Sequence, residues 1–178
     1  NTIHKIWFIL CLFTLGGLAW ALPEGASTMH VNVFFETNQK EMIITATAAG
    51  SNGIADFESF NIAVDETVRI QQASEQSRFL ARVTGSSVSQ INGRLIANGQ
   101  FYLVNPSGII FGSGAVVEAA KLNAIAGVLS NEDFVNGTDH FSALLGPVEN
   151  AGSIEAEQIV LAGSSVSNTG NLNSLAGE

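Results

Sequence analysis

Val148-Glu-Asn-Ala-Gly152-Ser-Ile154-Glu-Ala156 returns eighteen residues later as Val166-Ser-Asn-Thr-Gly170-Asn-Leu172-Asn-Ser174. Val148, Gly152, Ile154 and Ala156 each find their counterpart in Val166, Gly170, Leu172 and Ser174. A period of this length has apolar residues at alternate positions and Gly or Asn between them, as one coil of a β-solenoid requires. In such a stack the backbone bonds run from coil to coil, and the inward side chains form one continuous apolar column. The repeat therefore predicts an all-β chain, a right-handed parallel β-helix with Ile154, Ile159, Leu161 and Leu172 turned inward.

Upstream the chain, after Pro23, carries the same kind of punctuation. Short β-branched and aromatic runs are bounded by Gly, Asn or Ser. They are Val31–Phe35, Met42–Ala48, Phe57–Ile62, Thr67–Gln71, Arg78–Val83, Gly93–Ala97, Phe101–Val104, Gly108–Phe111 and Ala115–Val117. Ile154–Ala156, Gln158–Leu161 and Val166–Asn168 follow. The earliest runs are expected to cap the N-terminal end of the helix. Lys121–Leu129 reads as one helical turn or two, though its Ala-rich face fits a strand nearly as well. Asn-Gly occurs at residues 52, 92, 98 and 136. Read alone, each pair is a hairpin turn; read with the repeat, part of them become corners of coils.

Composition narrows the function. Hydrophobic residues make up 46% of the 178-residue chain, enough for a sizeable core and too much for disorder. The net charge of -9 argues against nucleic acid and anionic membrane surfaces, which need a cationic patch. Six of the seven basic residues precede residue 95, so the second half offers an acidic face. The one cysteine, Cys11, lies in an apolar N-terminal run from Ile6 to Ala21 that follows His4-Lys5 and closes on Ala19-Trp20-Ala21. A basic flank, an apolar stretch and small residues three and one before the cut are what signal peptidase reads. Residues 1–21 are thus expected to be a signal peptide and residues 22–178 one thiol-free domain. The run is short for a membrane span and is broken by Gly16-Gly17. Since the chain opens on Asn1 and stops mid-repeat, further residues are expected at both ends.

Between Ile91 and Gly114 the chain reads Ile-Asn-Gly-Arg-Leu-Ile-Ala-Asn-Gly-Gln-Phe-Tyr-Leu-Val-Asn-Pro-Ser-Gly-Ile-Ile-Phe-Gly-Ser-Gly. This stretch resembles the filamentous haemagglutinin N-terminal family, the secretion domain of two-partner systems. The family's Asn-Pro-Asn-Gly-Ile signature appears as Asn105, Pro106, Ser107, Gly108 and Ile109, with Ser107 in place of the second Asn. Phe60-Asn-Ile62, Glu66-Thr-Val68, Gln71-Gln72, Arg82-Val-Thr-Gly85 and Ser130-Asn-Glu-Asp-Phe134 follow the family's order of segments. A second signature of some members, expected between Ile70 and Arg82, is absent. The resemblance implies a secretion and folding-nucleation domain of a large adhesin- or haemagglutinin-like exoprotein. Its implied partners are the Sec translocon, signal peptidase and an outer-membrane transporter with periplasmic capture domains. Its implied destination is the extracellular space or cell surface, where a passenger would meet host ligands.

The residues of the motif carry their own physics. The residue before a proline is pushed to an extended conformation, Pro106 fixes φ, and Gly108 can take a positive φ. The Asn105 side chain can bond its own backbone two residues on. Asn105–Ile109 is therefore expected to form a rigid corner, a site for partner recognition, or both.

Catalytic and metal-binding patterns are missing, so no cofactor or metal is expected. His30 and His140 stand alone, and Asp65-Glu66 and Glu132-Asp133 are read as solvated corners. The alternative reading is a secreted β-helix enzyme of the pectinase or lyase type. It would need clustered Asp residues or basic side chains on one coil face, and only Arg69, Arg78, Arg82 and Arg94 are on offer.

Overall fold

Buried and half-buried residues alternate along Glu41–Ala46, the period-two signature of a strand with one face on a core. A computed structural model describes residues 21–30, 33–47 and 52–175. The expected signal peptide, all but Ala21, lies outside the described residues. The strands are β1 (Ser27–His30), β2 (Phe34–Thr37), β3 (Glu41–Ala46), β4 (Gly53–Phe57), β5 (Thr67–Gln72), β6 (Arg78–Val83), β7 (Ser89–Ile91) and β8 (Arg94–Ala97). They continue with β9 (Gln100–Val104), β10 (Ile109–Phe111), β11 (Val116–Ile125), β12 (Pro147–Asn150), β13 (Ser153–Ala162), β14 (Ser165–Asn168) and β15 (Asn171–Ser174). One short helix, α1 (Asn131–Val135), stands between β11 and β12.

The strands stack in three parallel ladders. The first runs β3, β5, β8, then the opening of β11, of β13, and β15. The second runs β4, β6, β9, then the closing halves of β11 and β13. Because β11 and β13 belong to both, the two ladders make one 11-stranded sheet, which includes β1 and β2. The third is a separate 4-stranded sheet, β7, β10, β12 and β14. Among the described strands only β1 and β2 pair antiparallel, with β4 and β3. They lie at the ends of the first two ladders, where they occupy edges that would otherwise be open to another chain.

Register turns the ladders into columns. Met42, Val68, Leu95, Val117 and Ile154 lie one above another and are all buried. A second buried column is Phe79, Phe101 and Leu122. The eighteen-residue repeat is register in space: Val148 pairs with Val166, and Ile154 with Leu172. Ile159 and Leu161 pack against the core while half-buried. Leu172 holds its place in the column but is 43% exposed, since β15 is paired on one side only.

Two readings that the sequence left open are decided. Asn92-Gly93 and Asn98-Gly99 are corners between β7, β8 and β9, whose partners are all parallel, and not hairpin turns. Their glycines serve close approach: a Cβ on Gly93 would lie 2.1 Å from Ala63 O and 2.3 Å from Glu66 O. Lys121–Leu129 is strand as far as Ile125 and contains no helix. The helix comes later, where Ser130 caps α1 by accepting a 3.0 Å bond from Asp133 N.

Candidate functional site

Asn105 follows β9 and Ile109 opens β10, so the motif spans the corner between the second and third ladders. Gly108 N donates to Asn105 O at 3.0 Å and closes a four-residue turn. Within it, Asn105 Oδ1 accepts from Ser107 N at 3.0 Å, the local bond expected of this side chain. Gly108 has φ +123°, which a Cβ would strain.

The corner is also tied to the coils on either side. Asn105 Nδ2 donates to Ser87 O and Ser89 Oγ, both at 2.9 Å, in the preceding coil. Ser89 N donates to Gly108 O at 3.0 Å. On the other side, Asn105 N donates to Ile125 O at 2.9 Å. Gly146 packs so closely that a Cβ there would lie 2.5 Å from Gly108 N. Ile109 sits in register between Ser89 and Val148. Asn105 is 0% exposed, Gly108 and Ile109 are buried, and only Pro106 and Ser107 are half-open. In the folded chain the carboxamide is thus a strut between coils.

The other singled-out residues are scattered. Asp65 is exposed, as expected, and faces Lys40 at 3.7 Å. Glu66 is not: it is 4% exposed, because its carboxylate folds back to accept from Ala63 N at 2.8 Å and Ala21 N at 3.0 Å. Glu132 and Asp133 occupy the first turn of α1, where acidic groups suit the helix dipole. His140 Nδ1 lies 3.7 Å from Asp133 on the surface. Among the described residues no three His, Cys, Asp or Glu side chains group closely enough to hold a metal. The arginines that the lyase reading relies on are each committed elsewhere. Arg69 pairs with Glu41, Arg78 with Asp139, Arg82 with Asp56 and Arg94 with Glu118.

A second arrangement was not foreseen in the sequence. The segment from Ala126 to Gly146 leaves the ladders and lies on the outer face of the second one. There Phe134 and Leu129 cover Ile54, Leu80, Tyr102, Val104 and Ile125 in a second apolar cluster. Its rim is polar. Asn52 Nδ2 donates to Val135 O at 3.1 Å, and Arg82 donates to Asn131 Oδ1 at 2.7 Å. Arg78 reaches Phe134 O, lies with its guanidinium 4.5 Å from the Phe134 ring centre and 4.8 Å from that of Tyr102, and pairs with Asp139 at 2.8 Å. Lys121 Nζ reaches the same carboxylate at 2.9 Å, and the Tyr102 hydroxyl donates to it at 3.1 Å. Burial works to raise the Asp139 pKa, but Lys121, Tyr102 and Arg78 together hold it below the ordinary carboxylate value. The readable signal was Ser130-x-x-Asp133, a capping pattern just before Phe134.

The family model of the TPS secretion domain matches residues 19–177. Two Haemophilus influenzae proteins, each named heme/hemopexin-binding protein, are 34% and 32% identical over 120 residues, or 65% of this chain. The chain spans 13% of the length of these relatives. The crystal structure of the HMW1 secretion domain from Haemophilus influenzae matches with a TM-score of 0.77 at 27% identity, over 83% of this chain and 41% of that one.

Proposed function

The chain belongs to the TPS secretion domain family, and from that premise we propose that residues 22–178 form a right-handed parallel β-helix that nucleates folding of a large exoprotein as it leaves the cell. Domains of this family are recognised by an outer-membrane partner transporter, and the proteins that carry them are secreted across the outer membrane. Residues 1–21 address the chain to the Sec translocon and are removed by signal peptidase. Periplasmic capture domains of the partner then take the unfolded chain. The product finishes outside, at the cell surface or in the medium.

The observation that carries this reading is the parallel stack with a capped start. From β5 onward each described strand but β7 pairs with a strand already made, and β7, which opens the third ladder, is bridged to the preceding chain by Ile91 and Ile62. Folding that begins at β1–β4 and adds one coil at a time would bury apolar surface with each step and draw the remaining chain outward. In this reading Asn105, Pro106, Ser107, Gly108 and Ile109 act twice. Extended in the periplasm, they are a segment the partner can take up by strand addition. Folded, they lock one coil to the next. The passenger would be an adhesin or haemagglutinin, as the family resemblance implies, and would carry any contact with host ligands.

The test is export with and without the partner pore. Secreted yield of the mature domain should collapse when the pore is absent or when its periplasmic domains are deleted, and the exported product should begin at Leu22 by mass spectrometry. Equal yield without the pore would overturn the proposal. The enzyme reading is less well supported, because its basic residues are paired along the outer faces. Release of unsaturated products from polygalacturonate by the mature domain would revive it.

A further inference from the structure

Glu66 is the one buried carboxylate among the described residues whose side chain faces no cation within ion-pair distance. Its backbone is fixed on both sides: Glu66 N donates to Ala63 O at 3.0 Å, and Arg94 N donates to Glu66 O at 2.9 Å. One carboxylate oxygen closes the turn on Ala63 N. The other points at the first residues of the mature domain and accepts from Ala21 N at 3.0 Å. Beside that bond the chain is anchored, since Leu22 and Pro23 are buried and Leu22 belongs to the main core. A buried carboxylate satisfied only by neutral amides is costly compared with one that meets a positive charge.

We propose that Glu66 is a receptor for the chain's own processed N-terminus, a site for an α-ammonium group. The inference rests on cleavage after Ala21. Water adds across the Ala21–Leu22 amide, leaving a carboxylate on the departing peptide and an ammonium on Leu22. That ammonium lies one residue along the chain from the Ala21 nitrogen, within about 3.8 Å of the position already bonded to Glu66. With three donors it replaces the departed amide and brings the missing charge. The unprocessed chain can offer Glu66 only a neutral N–H. Removal of the signal peptide thereby creates the group that completes the capped end once the domain folds, and a chain still bearing its signal reaches a less stable fold.

The mature protein made with Leu22 as its first residue gives the test, compared with the same protein acetylated at that amine, each with Glu66 intact and as Glu66→Gln. Acetylation should lower the melting temperature by about 5 °C when Glu66 is present and by less than about 1 °C in Glu66→Gln. An equal loss in both, or none in either, overturns the proposal. Should Glu66→Gln fail to fold, acylation of the Leu22 amine in the intact protein decides. It should run at least about tenfold slower than in a peptide of residues 22–31, and an equal rate overturns the proposal. The mass of the exported product reports separately on the cleavage reading, so the two can fail independently.

Discussion

Replacing Asn105 by alanine removes a carboxamide that is 0% exposed and makes three hydrogen bonds, to Ser87 O, Ser89 Oγ and Ser107 N. Each bond contributes roughly 0.5–1.5 kcal/mol net, and the cost rises where a partner stays buried without water. Ser89 is 1% exposed, so its hydroxyl falls into that second class. The expected loss is about 2–4 kcal/mol, or about 5–15 °C in melting temperature for a domain of this size. Asn105→Asp keeps the bond to Ser107 N but has no N–H to give. It sets a carboxylate oxygen against Ser87 O and should lose at least as much. Urea unfolding of the purified mature domain, followed by tryptophan-independent far-UV circular dichroism, measures the loss directly. Secreted yield with the partner pore is read in parallel and should fall in proportion to stability. A change below about 0.5 kcal/mol in Asn105→Ala would refute the interlocking role. Normal stability with lost export would mean that the partner reads this side chain itself.

Gly108→Val places a β-branched residue at φ +123°, with its Cβ 3.1 Å from Pro147 O. It should cost about 1–3 kcal/mol from backbone strain alone, measured by the same unfolding curve. Gly93→Ala drives a methyl onto Ala63 O and Glu66 O, and an overpacked backbone contact of that kind should cost about 3 kcal/mol, with the first ladder losing amide protection in hydrogen exchange. Asp139 has its pKa lowered in the fold, so the stability it contributes is present above the unfolded carboxylate pKa, about 3.9, and is lost as pH falls through the lower folded value. Asp139 remains 31% exposed, so the effect is screened and modest. The stability gap between wild type and Asp139→Asn should be fully open at pH 7 and narrow as pH falls below about 4; a gap that does not narrow on acidification would contradict the assignment.

What the sequence displays plainly is whatever packs with a fixed period. Thr67–Gln71 and Arg78–Val83 are strands almost to the residue, because β-branched and aromatic side chains alternate there toward a core. The repeat of Val148 and Ile154 is legible for the same reason, since each copy fills the same column. Three kinds of feature are hidden. Ser27–His30, Ser89–Ile91 and Pro147–Asn150 are strands only because a neighbouring coil pairs with them, and their side chains carry little signal of their own. The length of β11 is hidden too. In the coil before it Asn98-Gly99 breaks the chain between two ladders, whereas Ala119-Ala120 passes the same point without a turn. Glu66 was misread because alternation gives the direction of a side chain and not whether its oxygens fold back on nearby amides. Of the motif, the local Asn105 bond was legible and the long-range ones to Ser87 and Ser89 were not. Those depend on how far one coil is stacked over another.

Several bonds outside the ladders join later residues to strands made earlier. Asn105 Nδ2 reaches back to Ser87 and Ser89, and Asn98 Oδ1 accepts from Gln72 N at 2.7 Å. The 126–146 segment, formed after β11, lays Phe134 over Ile54 and Leu80 and ties to Asn52 and Arg82. In each case the later residue needs an earlier strand already in place; β7 alone among the ladder strands waits for a later one, β10. The outer segment is the strictest instance, because it bridges β4, β6 and β9 at once and has no site until all three are stacked. Polar bonds and apolar cover therefore favour assembly from the antiparallel cap at β1 and β2 toward β15. A chain that emerges N-terminus first meets its partners in that same order, and a chain released whole into the periplasm gains nothing from it.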